Sequence, residues 1–275
     1  MAGRKRQRTA DEAEVEIRKV GNEAQCGHMT PDDKALAGAA KKARRDITSD
    51  AHVAGLEPVA DHEIYPEAPA DTQLTRAPET LDISSVYIKR PVIKKHSCGA
   101  GATECAMREA ASALLAETLA LEKLSKTPHP CIVQYHGCRV RRGRITAVVL
   151  ERLGQTLNDY AFNEPDKSKF ARLDKDMFLA VVDSAVKFLH SLRLAHNNVS
   201  PDNIVVREAG DGSCWPVLIG FGSCAPLGAQ LVSSGKPGFA KPEDKSPLIS
   251  HKKNDEIALA RLREWWEDAR QLGAV

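Results

Sequence analysis

The sequence lacks any apolar run long enough to cross a bilayer: stretches such as Ile145 to Leu150 fall far short of the roughly 20 residues a spanning helix needs. The charged N-terminal stretch also lacks the apolar core of a secretory signal. Neither sign of charge dominates, with 39 basic against 37 acidic residues. No global field therefore draws the chain to nucleic acid or to an acidic membrane surface. Its seven cysteines are odd in number and include no C-x-x-C pair, which argues against a disulfide framework and for a reducing compartment. Together these absences predict an intracellular protein, cytoplasmic or nuclear, with no membrane partner and no strong nucleic-acid signal.

Aromatic residues are scarce as well, and the first 75 residues contain one, Tyr65. That stretch mixes charge runs with Ala, Pro and Asp and has no sustained apolar period, so residues 1–75 are expected to form a disordered charged tail. Two basic clusters lie in it, Arg4 to Arg8 and Lys41 to Arg45, each readable as a nuclear-import address or as a solvated run. Four residues with zinc-binding chemistry, His129, Cys131, His136 and Cys138, fall close together. The strand-like Ile132 to Tyr135 between them favours ordinary side chains on a sheet edge.

From Ser85 the periodic signals sharpen. "VYIKRPVI" reads as a strand carrying Lys89. After a loop with Gly99 and Gly101, a helix is predicted over Glu104 to Lys126, where Ala113, Leu114, Glu117, Leu121 and Leu124 recur at three- and four-residue steps, and Pro128 and Pro130 end it. "CIVQYHGCRV" and "RITAVVLERL", joined by Arg141-Arg142-Gly143, predict an antiparallel hairpin. An amphipathic helix over Lys175 to Leu192 follows, with Phe178, Val181, Ala185, Phe188, Leu189 and Leu192 on one face. It leads into "HNNVSPDNIVV" and, after Gly210-Asp211-Gly212, into "WPVLIGFGSC", a second hairpin. A last helix is predicted from Asn254 to Leu272, carrying Ile257, Leu262, Trp265, Trp266, Ala269 and Leu272. The two tryptophans read as core and partial-surface packing.

This order of elements, together with "PHPCIVQYHGC", "RGRITAVVLE", "LHSLRLAHNNVSPDNIVV" and "GFGSC", resembles the protein kinase superfamily, and most of all a group of small fungal serine/threonine protein kinase-like proteins. The resemblance implies an α+β, two-lobed kinase-like fold over residues 85–272, with a reduced N-lobe at about 85–152 and a shortened C-lobe at about 153–272. It implies that Lys89 holds nucleotide phosphates and that Glu117 pairs with it. Leu150 takes the gatekeeper position, and Glu151 to Leu153 the hinge, where backbone groups of Glu151 and Leu153 would meet an adenine. Asn203 matches the second metal ligand, Asp255 the buried aspartate opening the next helix, and Gly235 to Glu243 a degenerate end of the activation segment.

The departures decide the functional expectation. Asn198 stands at the position of the catalytic base, and an amide takes no proton at neutral pH. Gly220 stands at the position of the main metal ligand and offers no side-chain oxygen. Ser200 replaces a lysine common in the wider family. No glycine occurs between Gly55 and Gly99, so no glycine-rich loop is available to cover phosphates ahead of Lys89. The chain also stops soon after the Asp255 helix, as a family trait or a shortened gene. The expectation is a pseudokinase acting by binding a protein partner, with weak ATP binding and doubtful Mg2+ binding. A weakly active ATP-dependent kinase and a truncated, non-functional relic are the alternatives. Lys89 with Glu117 also has a reading as a plain structural ion pair, Asn203 as a brace for the loop, and His196 as a structural histidine held by backbone.

Overall fold

The computed structural model describes residues 15–20, 23–29, 35–40, 57–92, 102–163, 167–231 and 248–273. The basic clusters of the tail, the Gly99 and Gly101 loop and Gly235 to Glu243 lie outside them. The chain divides into two units, Met1–Ile64 and Tyr65–Val275. In the first, backbone strands β1 (Val15–Val20), β2 (Glu23–Met29), β3 (Ala35–Ala40) and β4 (Glu57–Val59) pair antiparallel in sequence order. Composition alone suggested no strands there, because stretches such as ALAGAA lack the β-branched and aromatic residues that mark them.

The second unit is mixed α and β, with small antiparallel sheets. Strand β5 (Val86–Lys89) pairs with β7 (Arg144–Glu151), which pairs with β6 (Tyr135–Arg141), in the order β5-β7-β6. The β6–β7 hairpin turns at Arg142 and Gly143, both at positive φ (48° and 74°), the geometry that matches the right-handed twist of the paired strands. The predicted first strand of this hairpin starts four residues early. Cys131 to Val133 instead bond to Leu218, with Leu218 N donating to Cys131 O at 2.8 Å and Val133 N to Leu218 O at 3.0 Å.

Helix α1 (Ala102–Ser125) lies against this sheet and against a 3-10 turn at Phe221–Ser223. The remaining elements are mostly helical: α2 (Leu157–Phe162), α3 (Lys167–Phe170), α4 (Lys175–Ser191) and α5 (Lys252–Gly273). Among them lie β8 (Leu194–Ala195) paired with β11 (Ala225–Pro226), and β9 (Ile204–Glu208) paired with β10 (Cys214–Leu218). Thr156 and Asp174 cap α2 and α4 by accepting from Asp159 N and Met177 N, which satisfies donors that a helix start leaves free.

The core of this unit joins α1 Leu121, β7 Ile145, α4 Phe178 and Leu189, β9 Ile204, β10 Leu218 and α5 Trp266, all fully buried. Trp266 packs against Phe170 (4.9 Å between centroids) and Phe178 (5.3 Å), and Trp265 is half-buried beside them. The buried stripe of α4 is Phe178, Leu179, Val182, Ala185, Val186 and Leu189, rotated slightly from the predicted face. Leu272, one of the apolar residues carried by the last helix, is exposed.

The unit begins at Tyr65, well before the Ser85 boundary that composition suggested. Residues Tyr65 to Ala77 form a strap across the β6–β7 hairpin. Ile145 N donates to Pro66 O (2.9 Å) and Ala68 N to Gly143 O (2.8 Å) near the turn. Along the far edge, Cys138 N donates to Thr75 O (2.8 Å) and Ala77 N to Cys138 O (3.1 Å). The close approach depends on Gly137, at φ +124°, where a Cβ would meet Ala77 N at 2.6 Å and Thr75 O at 2.8 Å.

Gly137→Ala should therefore destabilise the full chain by about 2 kcal/mol or more, combining backbone strain with expulsion of the strap. Urea unfolding checks this: the midpoint should fall. An unchanged midpoint would mean that the strap contributes nothing to stability.

Candidate functional site

Lys89 ends β5, and Glu117 lies on the buried side of α1. Their side chains meet, with Lys89 Nζ 2.7 Å from Glu117 Oε1. The same oxygen accepts the backbone N–H of Phe221 at 3.1 Å. One carboxylate, its side chain 3% exposed, thus ties a strand, a helix and the turn after Gly220 together, while the Lys89 side chain keeps 30% of its surface. Phe221 is buried and sets its ring edge-on to His196, 4.9 Å between centroids.

Gly220 precedes this turn in the left-handed region, at φ 77° and ψ 52°. A Cβ at this position would lie 2.7 Å from Asn203 Cγ and nearer still to its Oδ1. Asn203 sits at the end of a 3-10 turn, Pro201–Asn203, and its Nδ2 donates to Asn198 O at 2.9 Å. Contacts therefore run continuously from Lys89 through Glu117, Phe221 and Gly220 to Asn203 and Asn198.

The 196–203 loop is held from beneath by the Asp255 carboxylate, fully buried in the first turn of α5. It accepts His196 N (2.9 Å), Asn197 N (2.7 Å) and His190 Nε2 (2.9 Å). Asn197, itself at φ 59°, sends Nδ2 toward Ala195 O, Ser223 O and Ser250 Oγ at 3.0 to 3.1 Å and accepts from Asn254 Nδ2 at 3.0 Å. The His196 ring places Nε2 3.0 Å from Ile219 O, while Nδ1 lies 3.3 Å from Asn198 N. A carbonyl only accepts and an amide N–H only donates, so the ring is the neutral Nε2–H tautomer. Burial holds its pKa below the ordinary histidine value.

Glu151 and Leu153 sit at the end of β7 and just beyond it. Glu151 N donates to Gln134 O (3.0 Å), and its carboxylate accepts Gln134 N (2.8 Å) and pairs with Arg207 from β9. Leu153 packs partly buried against the core, and its N–H takes no partner among the described residues. The Arg207 contact was not foreseen, since its partner lies 56 residues away and no local pattern marks it. The interlocking of Asn197, Ser250 and Asn254 was missed for the same reason.

The residues present do not fit a magnesium ion. Glycine offers no ligand at 220, the Asn203 side chain packs into the room a longer residue would need, and no group of three or more metal-ligating side chains occurs among the described residues. That last observation covers His129, Cys131, His136 and Cys138 as well.

Three curated proteins can be compared. Over 112 residues, 39% of this chain, the sequence is 32% identical to the serine/threonine-protein kinase/endoribonuclease IRE1 of Hypocrea jecorina. Over 77 residues, 28% of this chain, it is 35% identical to the serine/threonine-protein kinase DCLK1 of Rattus norvegicus and to that of Mus musculus. The matches span 9%, 18% and 10% of those proteins' lengths. No family profile matches the chain. The partial matches give this chain a protein kinase-like relationship, in line with the motifs of its sequence.

The His196 geometry carries a pH consequence. Its folded-state pKa lies below the unfolded value of about 6.5, so the folded state binds the proton less readily than the unfolded chain. The stability from this residue is complete above pH about 6.5 and is lost as pH falls through the lowered folded value. Urea midpoints of the wild type and His196→Gln, compared between about pH 7.5 and 5.5, should converge on the acid side. A constant difference would refute the neutral buried imidazole.

Proposed function

We propose that the chain is a pseudokinase: a kinase-like scaffold, two-lobed, that acts by binding a protein partner rather than by transferring phosphate. The carrying observation is the pairing of Gly220 with Asn203. A glycine in the left-handed region offers no carboxylate to the ion that neutralises charge in phosphoryl transfer, and a side chain added there would meet the Asn203 amide. Asn198 supplies no base. Much of the segment preceding Lys89, from which a phosphate-covering loop would be drawn, is committed to the strap bonded to Gly143, Ile145 and Cys138 of the hairpin.

ATP, if bound, is held weakly in this reading. Lys89 is partly exposed but already engaged by Glu117, and the Leu153 N–H and Glu151 backbone offer an adenine contact. Mg2+ has no place. A weakly active kinase is the second reading, favoured by the intact Lys89–Glu117 pair and its bond to Phe221. The relic reading fits poorly with a loop whose buried polar groups are so thoroughly bonded. A place inside the cell, in cytoplasm or nucleus, is part of the same proposal. No helix among the described residues is long and apolar enough to cross a membrane.

The test is a purified-protein assay of ATP binding and phosphotransfer, with and without magnesium or manganese. ATP should raise Tm little and magnesium should add nothing. Transfer should be absent from the wild type and from Asn198→Asp, and only slight in Asn198→Asp with Gly220→Asp, because unenclosed phosphates misplaced by about 1 Å cost on the order of 10²-fold. Magnesium-dependent turnover by the wild type would overturn the proposal.

A further inference from the structure

The strap is fastened to α1 at a single carboxylate. Glu122 is buried and, among the described residues, forms no ion pair. Its charge is met by hydrogen bonds from Thr75 N (2.6 Å), Thr75 Oγ1 (2.9 Å) and Tyr135 OH (2.7 Å). Two of these three donors belong to one residue, and that residue is exposed. The hydroxyl that secures the strap thus belongs to an exposed residue, and it comes free whenever the bond to Glu122 opens.

We propose that phosphorylation of Thr75 unlatches the strap from α1 and from the edge of β6. A protein kinase acting in trans, with a nucleoside triphosphate as donor, would form the bond from Thr75 Oγ1 to the γ-phosphorus. The bond from that phosphorus to the bridging oxygen breaks, the nucleoside diphosphate leaves, and the hydroxyl proton passes to the transferring enzyme's base. The product has lost the Oγ1 donor and places a charge of about −1.5 to −2 against the Glu122 carboxylate. Attraction becomes repulsion at hydrogen-bonding distance.

Release would not stop at the side chain. Thr75 O accepts Cys138 N, and Ala77 N donates to Cys138 O two residues on, so displacing Thr75 removes the strand pairing that covers β6. The glycine face of Gly137, closed by Thr75, Arg76 and Ala77, opens with it. Thr75 differs in this from its neighbours. Thr72 bonds only to Asp71, at 3.4 Å, so a phosphate there would leave the helix contact untouched. Since the Thr75 backbone is bonded on both sides when latched, modification captures the strap in its transiently open state and holds it there.

The experiment is hydrogen exchange on the full chain with phosphothreonine incorporated at position 75, in the wild-type and Glu122→Gln backgrounds. Phosphorylation should speed exchange of the Thr75, Ala77 and Cys138 amides by about tenfold or more while leaving Leu189, fully buried in the last turn of α4, protected. In Glu122→Gln, which removes the opposing charge but keeps an acceptor, the acceleration should fall to a small fraction of that. Unchanged exchange on phosphorylation would overturn the proposal, and so would equal acceleration in both backgrounds. Loss of protection at Leu189 to the same degree as at Cys138 would also overturn it, since the strap would then be part of the global fold and not a latch. None of these outcomes depends on whether the chain transfers phosphate itself.

Discussion

The Glu117 carboxylate is the point from which the rest of the site takes its shape. A charge buried this deeply is tolerated only when other groups answer it. Here Lys89 answers from β5 and the Phe221 N–H from the turn behind Gly220. Removing the lysine would leave an uncompensated buried charge, a loss of about 3–5 kcal/mol for fully buried pairs, and less here because Lys89 keeps partial contact with water. The pair thus has a reason to persist that makes no reference to nucleotide. Its presence is weak support for catalysis, and its disruption would be felt in three elements at once.

Helix α1 carries a second buried carboxylate, Glu122, further along its length. The two acids divide the work: Glu117 fixes the helix to the strand and turn that form the candidate site, and Glu122 fixes it to the strap. The strap uses the stretch of chain that leads toward Lys89, and it is bonded to the hairpin turn, to the start of β7 and to Cys138 of β6. The missing glycine loop and the presence of the strap are two sides of one allocation of chain. A segment bonded to Gly143, Ile145 and Cys138 is not free to fold over a phosphate beside Lys89.

Much of the second unit was legible from local pattern. The 3.6-residue period of α1 and α4, the Arg142-Gly143 turn and the β-branched runs of β7 and β9 all report short-range physics, and they were read close to their observed limits. Lys89, Glu117, Asn198, Asn203 and Gly220 were found because a resemblance supplied their order, and the structure brings them into one connected set. The strap was not legible. Pro66, Pro69 and Pro78 with scattered acids have the composition of a tail, and its order comes from main-chain bonds to a hairpin some seventy residues on and from the absence of a Cβ at Gly137. Arg207 with Glu151 was hidden likewise, because pairing across 56 residues leaves no period to detect.

The form of the 196–203 loop follows from where its hydrogen bonds go. Asp255 takes the backbone N–H groups of His196 and Asn197, the His196 ring spans Ile219 O and Asn198 N, and Asn203 closes onto Asn198 O. Each of these bonds is internal to the loop or anchors it to the core, and none needs a substrate, a nucleotide or an ion to complete it. The base position enters the set only through its main chain in those bonds, so an aspartate there or an asparagine leaves them the same. At 220 the constraint runs the other way: with no side chain there, Asn203 can pack against the α-carbon, and a longer residue could return only if Asn203 gave up that place. The main-chain bonds of the loop thus place no demand on the side chain at 198, whereas a side chain at 220 would have to displace the Asn203 amide. On the proposed reading, that asymmetry makes Gly220 the more constrained of the two positions.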